Sequence, residues 1–249
     1  MPTKAQDSMM IVSEPTRDEL GARAGSHAGR VLREALRGGG TARVMLAAAP
    51  SQSATLAALA AEAGIDWARV ELFHMDEYVG LAPDAPQGFA TWLTTTFVGH
   101  LPGARLHRID PAGDAEAEAA RYGELLGREP FDLVLLGLGV NGHLAFNDPP
   151  ADFADPCGVR VVALDATSRR QQVEEGHFAT FDDVPATAVT VTIPRLLNAA
   201  TVIASVPGRA KRTAVAQTLR EPIGPMHPGT ALRTHPNVTL YLDAEADPR

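Results

Sequence analysis

Residues 131–150 read FDLVLLGLGVNGHLAFNDPP. From Phe131 to Leu136 the run is almost continuously apolar, and Gly137, Gly139 and Gly142 stop it. A short apolar run bounded by glycine is the signature of a strand covered on both faces, the way strands of a parallel sheet are buried. The polar residues that follow, Asn141, His143, Asn147 and Asp148, are more than a tight turn needs. A chemical role for this loop is therefore expected alongside its role as a bend.

Outward from this strand, helix-like and strand-like segments alternate. Toward the N-terminus, Thr16 and Glu19 have capping-box spacing and open an amphipathic helix that ends at Gly38, Gly39 and Gly40. Strands are predicted at 42–50 and 69–75, with helices at 53–64, 88–99 and 114–127. Toward the C-terminus, strands are predicted at 159–164, 188–193, 201–206 and 237–243, with a helix at 208–220. Strands separated by helices imply parallel crossovers. The expected fold is α/β, a doubly wound, mostly parallel sheet with helices on both faces (Rossmann-like), in one domain over residues 1–249.

Composition narrows the partners. A formal net charge of -8 disfavours nucleic acid and anionic membrane, since both require a basic face. No apolar run approaches the roughly 20 residues of a membrane span, and residues 1–10 lack the apolar centre of a secretory leader, so a cytoplasmic protein is expected. The single cysteine, Cys157, allows no internal disulfide. His74, His143, His227 and His235 follow no ligand spacing, so neither a metal nor a cofactor is expected.

In such sheets ligands bind beyond the carboxyl ends of the strands. That rule selects four loops. Ser51, Gln52 and Ser53 lead into a helix start, which suits an anion, although an ordinary N-cap reads the same way. Asp76 and Glu77 are adjacent on an extended segment, so at most one faces the crevice; a carboxylate there can accept a proton from carbon, while a solvated pair is the plainer reading. The glycine loop is no dinucleotide fingerprint, because His-Leu-Ala-Phe-Asn-Asp-Pro-Pro cannot open a long helix. In it, His143 lies five residues before Asp148, near enough for the carboxylate to orient the imidazole. Arg209, Lys211 and Arg212, with Arg169 and Arg170, are either solvated or gathered around an anion such as phosphate.

Taken together, LFHMDEYVGL and LGLGVNGHLAFNDPP resemble the glucosamine-6-phosphate deaminase (isomerase) family, related in fold to 6-phosphogluconolactonases; the likeness runs in order from about residue 12 to residue 243. The resemblance implies that Asp76 moves the proton at C2 of an open-chain amino sugar and that His143 assists ring opening. It also implies that Asp148 stands where the family has glutamate and that Lys211 binds phosphate. The resulting catalytic candidates are Asp76, His143, Asp148 and Asn141; the substrate- or phosphate-binding candidates are Ser51, Gln52, Ser53, Glu77, Gly139, Arg169 and Lys211. A homo-oligomer is a common assembly in the family.

Three departures stand out. Asn141 replaces an aspartate two residues before the histidine, and Ala-Pro-Ser-Gln-Ser replaces a glycine-threonine-rich loop. The family's second phosphate arginine has no certain counterpart, with Arg169 and Arg170 as candidates and Glu174 or Glu175 competing for its place. An amide cannot carry a proton as a carboxylate does. The expected outcome is therefore C2 deprotonation of N-acetylglucosamine 6-phosphate followed by loss of the C3 hydroxyl, giving a 2,3-unsaturated sugar phosphate. The alternatives are conventional deamination of glucosamine 6-phosphate to fructose 6-phosphate and ammonia, hydrolysis of a 6-phosphogluconolactone, and a non-catalytic sugar-phosphate sensor.

Overall fold

The computed structural model describes residues 9–249. The reading of the N-terminus as lacking a leader falls largely on residues 1–8, outside the described residues. In chain order the elements are β1 (Met10–Glu14), α1 (Arg17–Ala35), β2 (Ala42–Leu46), α2 (Ser53–Ala60), β3 (Val70–His74), β4 (Asp76–Tyr78), α3 (Phe89–Thr96), β5 (Arg105–His107) and α4 (Ala115–Leu126). They continue with β6 (Phe131–Leu136), β7 (Val159–Ala163), α5 (Ala166–Glu174), β8 (Thr187–Val191), α6 (Ile193–Leu196), β9 (Ala199–Val206), α7 (Arg212–Arg220) and β10 (Val238–Asp243).

Strand β6, the apolar run at 131–136, is the central strand of a seven-stranded sheet ordered β1-β10-β9-β6-β2-β3-β5. Every neighbouring pair in it is parallel. Its alternating side chains divide between two cores: Leu133 and Leu135 pack with α1, α2 and α3, whereas Val134 and Leu136 pack with α4 and α7. Both faces are thus covered, as a doubly wound sheet requires, and each fully buried leucine contributes about 1.5–3 kcal/mol. Among the described residues no helix is long and apolar enough to cross a membrane.

Helices α1 and α2 approach closely because glycines face the contact. A Cβ on Gly21 would sit 2.4 Å from that of Ala54, and one on Gly25 would sit 2.8 Å from the backbone of Leu59 and Thr55. This fit fixes α2, and with it the loop that enters α2 from β2.

Two predicted strands belong elsewhere. Residues 159–163 and 187–191 form, with β4, a separate antiparallel sheet ordered β4-β8-β7. Apolar content alone reads the same in both sheets. The distinguishing sign is in β7, where Arg160 is exposed beside buried Val159, the half-wet pattern that antiparallel strands tolerate. Met75 joins the two sheets: its N–H donates to Leu46 O (3.2 Å) and its carbonyl accepts from Val191 N (2.8 Å). The chain therefore leaves the main sheet at the residue before Asp76. Strand β1 at the sheet edge and helix α5 escaped the sequence reading, and α2 and α3 are shorter than predicted.

Candidate functional site

The strand order reverses between β2 and β6, and a pocket opens there beyond the carboxyl ends of the strands. All four loops selected from sequence contribute to it. Its walls include Ser51 and Gln52 after β2, Asp76 after β3, Gly137 and Gly139 after β6, His143, and Lys211 after β9. Gln171, Gln172 and Glu175 complete it from α5 and its C-cap.

Asp76 and Glu77 divide as alternation requires. The carboxylate of Asp76 faces the pocket and accepts no hydrogen bond among the described residues, while burial, reinforced by the charge of Glu77, pushes its pKa well up. Such a group is a strong base when ionised and a ready proton donor afterwards. Glu77, expected to bind substrate, is absent from the pocket wall. It accepts from the N–H groups of Tyr78 (3.0 Å), Phe89 (3.0 Å) and Ala90 (2.9 Å), so it caps the N-terminus of α3. Behind Asp76, buried His74 bonds through Nδ1 to the Asp76 carbonyl (2.9 Å) and accepts at Nε2 from Ile109 N–H (2.9 Å). These partners fix the tautomer, Nδ1 donating, and the bend that presents Asp76.

His143 forms the opposite part of the site. Its Nδ1 lies 3.0 Å from Asp148 Oδ1 and 2.9 Å from Ser168 Oγ, leaving Nε2 for a ligand. Asp148 also accepts from Asn141 Nδ2 (2.9 Å) and Ser168 Oγ. Burial alone would raise Asp148, but the hydrogen bonds and charge of His143, with Ser168 and Asn141, outweigh it and hold the pKa at about 2. Gly139 is required by close approach: a Cβ there would lie 2.2 Å from the His143 ring.

Asn141 lies behind this pair, away from the pocket wall. Its amide donates to Asp148 (2.9 Å) and Asp165 (3.3 Å), while its carbonyl accepts from His143 N–H (3.1 Å). The amide joins two carboxylates, a place where a third carboxylate would repel both. The loss of charge at position 141 is thus matched to its carboxylate neighbours Asp148 and Asp165.

The expected phosphate groups are only partly gathered. Ser51 and Gln52 line the pocket, with Gln52 Nε2 donating to Ser51 Oγ (3.1 Å) and Ser205 O (3.0 Å). Ser53 starts α2 and is exposed, outside the pocket wall. Arg169 turns away, donating to Phe181 O and Val184 O (2.8 Å each) and stacking on the Phe181 ring; Arg170 lies over the same ring. Lys211 is in the pocket, 3.4 Å from Glu175. Burial pushes its pKa down and Glu175 opposes that pull.

Helix α5 supplies Ser168, Gln171 and Gln172, which the sequence reading missed, and Glu175, which it had set against the second phosphate arginine. The four share one face at i, i+3, i+4 and i+7 spacing. The available signal was Asp165, whose side chain caps the helix by accepting from Ser168 N–H. Among the described residues no group of three or more His, Cys, Asp or Glu is placed to hold a metal ion. Cys157 is exposed and away from the pocket.

Comparison with known proteins places this geometry. The family described as glucosamine-6-phosphate isomerases/6-phosphogluconolactonase matches residues 15–241. The chain is similar to the glucosamine-6-phosphate deaminase of Halothermothrix orenii, 36% identical over 195 residues covering 77% of this chain and 79% of that protein. The corresponding enzyme of Streptococcus sanguinis is 34% identical over 186 residues, covering 74% and 77%. Among solved structures, a monomeric glucosamine-6-phosphate deaminase superposes with a TM-score of 0.88 at 27% identity, over 96% of this chain and 98% of that one. A 6-phosphogluconolactonase from Shewanella baltica shares the fold, with a TM-score of 0.80 at 19% identity over 95% and 98%.

Proposed function

The chain belongs to the glucosamine-6-phosphate isomerase/6-phosphogluconolactonase family, and from that premise we propose that it catalyses aldose-ketose isomerisation of a 2-amino-2-deoxy sugar with release of ammonia. The observation that carries this reading is the unpartnered carboxylate of Asp76, with its raised pKa, in one pocket with the His143–Asp148 pair.

Imidazole Nε2 of His143 moves a proton between the ring oxygen and the C1 hydroxyl as the sugar opens, and Asp148 holds the ring in place. Asp76 then removes the C2 proton; the electron pair forms the C1–C2 double bond and the C1 carbonyl becomes an enol. The developing negative charge falls on the C1 oxygen, which takes a proton from solvent to complete the enol, and the lone pair of the amine nitrogen then drives protonation at C1. Returning the proton to C1 leaves a C2 imine, which water cleaves to ketose and ammonia. General acid-base catalysis of this type contributes about 10²–10⁴-fold per group.

Elimination from an N-acetylated sugar was expected because Asn141 carries no charge. With Asn141 outside the pocket wall and bonded to Asp148 and Asp165, that ground for elimination falls away, and deamination is the better supported outcome.

A proton NMR time course in deuterated water, with glucosamine, glucosamine 6-phosphate and N-acetylglucosamine 6-phosphate in separate runs, tests the reading. Ammonia and a ketose with deuterium at C1 are expected from an amino sugar, and Asp76→Asn should lower the rate by about 10²–10⁴-fold while still binding ligand. A vinylic signal from the N-acetylated sugar, or full turnover by Asp76→Asn, would overturn it.

A further inference from the structure

Helix α5 connects the two ends of the pocket. Ser168 touches His143, and Glu175, seven residues on and about 10 Å along the helix axis, touches Lys211. Lys211 matches the family's phosphate-binding lysine, and on that likeness the terminal carbon of a bound amino hexose belongs at this pair.

Among the described residues, that end of the pocket has no uncommitted positive charge. Among the residues lining it, Lys211 is the one lysine or arginine, and its ammonium already faces Glu175 at 3.4 Å. Gln171 Nε2 fixes the same Glu175 oxygen at 2.6 Å, so the carboxylate is held in place. His177, 3.9 Å from the other oxygen, is kept toward its neutral form by burial. Arg169 and Arg170 are turned onto Phe181. A phosphate monoester carries about -1.5 to -2 charges and offers mainly acceptor oxygens. Placed beside Lys211, it would meet the Glu175 carboxylate.

We infer that Glu175 is a specificity determinant that sets the lysine end of the pocket for an uncharged hydroxyl terminus, so that the open-chain amino sugar is taken without a 6-phosphate. The inference rests on the reading of the pocket as an amino-sugar site and concerns only what the sugar carries at its far end.

Binding is measured by titration calorimetry with 2-amino-2-deoxyglucitol and its 6-phosphate, open-chain probes that cannot isomerise. The wild-type protein is expected to bind the unphosphorylated alditol more tightly. Glu175→Gln, nearly isosteric and still able to accept from Gln171, should tighten the 6-phosphate by about tenfold or more, since juxtaposed like charges are strongly unfavourable. The unphosphorylated probe should change little. Glu175→Ala serves as a second variant, with thermal melting to confirm folding.

Tighter binding of the 6-phosphate by the wild type, or an unchanged preference in folded Glu175 variants, overturns the inference. If the alditols show the expected preference but no substrate shows Asp76-dependent exchange at C2, the proposed reaction falls and the specificity assignment stands. If neither probe binds any folded variant, both fall.

Discussion

Asn141 shows how a single residue takes its meaning from its neighbours. In sequence it is a lost charge; in the fold its amide is the donor between Asp148 and Asp165. Asn141→Asp would put a third carboxylate beside these two, raise the pKa of Asp148 from about 2, and loosen the orientation of His143. A lower melting temperature and at least a tenfold loss of turnover are expected, with a stability cost of about 1–3 kcal/mol from the broken buried hydrogen bonds. Thermal melting and the C2-exchange assay check this; a gain of activity would contradict the role given to the amide. Glu77 makes the complementary point. Alternation assigned one member of the Asp76–Glu77 pair to the crevice, but the choice was made by the N-terminus of α3, where the N–H groups of Phe89 and Ala90 draw Glu77 away.

At the scale of elements, the α1–α2 contact sets the wall that carries Ser51 and Gln52. Gly25→Ala places a methyl group 2.6 Å from Ala58 Cβ and 2.8 Å from two backbone atoms that cannot turn aside. Such overpacking should cost about 1–3 kcal/mol. Urea unfolding would read the loss as a lower midpoint at unchanged slope. Ligand affinity should fall as well, because α2 moves with its N-terminal loop. The elements that sequence reading misplaced are also those that shape the site. β7 and β8 stand outside the main sheet, β8 pairing with β4 on one side and β7 on the other, and α5 brings Ser168 and Glu175 to the two ends of the site. Their patterns are legible locally: a cap at Asp165 and an exposed Arg160. Neither pattern states which sheet a strand joins or which surface a helix covers.

For the whole molecule, His74 links the site to stability. Burial lowers its pKa from 6.5 to about 4, although the bond to Asp76 O opposes the shift. The unfolded chain therefore binds more protons between these values. The stabilisation is fully present above pH 6.5 and is lost as pH falls toward 4, with a magnitude on the order of 3 kcal/mol. His27, His107 and His177 are also lowered, chiefly by burial, and add in the same direction. Denaturant unfolding at pH 7 and pH 4.5 should show the fall, and NMR titration of the imidazole would assign it. A His74 that titrates near 6.5 in the folded protein would remove this account.

The sequence by itself determined the parallel α/β core, the run at 131–136 as a strand buried on both faces, the strand-end loops that form the pocket, and the presence in them of Asp76, His143, Asp148 and Lys211. These follow from local causes: apolar periodicity, glycine stops and the rule that ligands meet the carboxyl ends of such strands. Only the tertiary structure decided the departure of β4 from the main sheet, the turning of Arg169 and Arg170 onto Phe181, the place of Asn141 between two carboxylates, and the pairing of Lys211 with Glu175. Each of these depends on a side chain and a partner far apart in the chain, or on a choice between two locally equal partners. Burial sets the outcome there, because a buried charge or amide must find a complement wherever the fold supplies one.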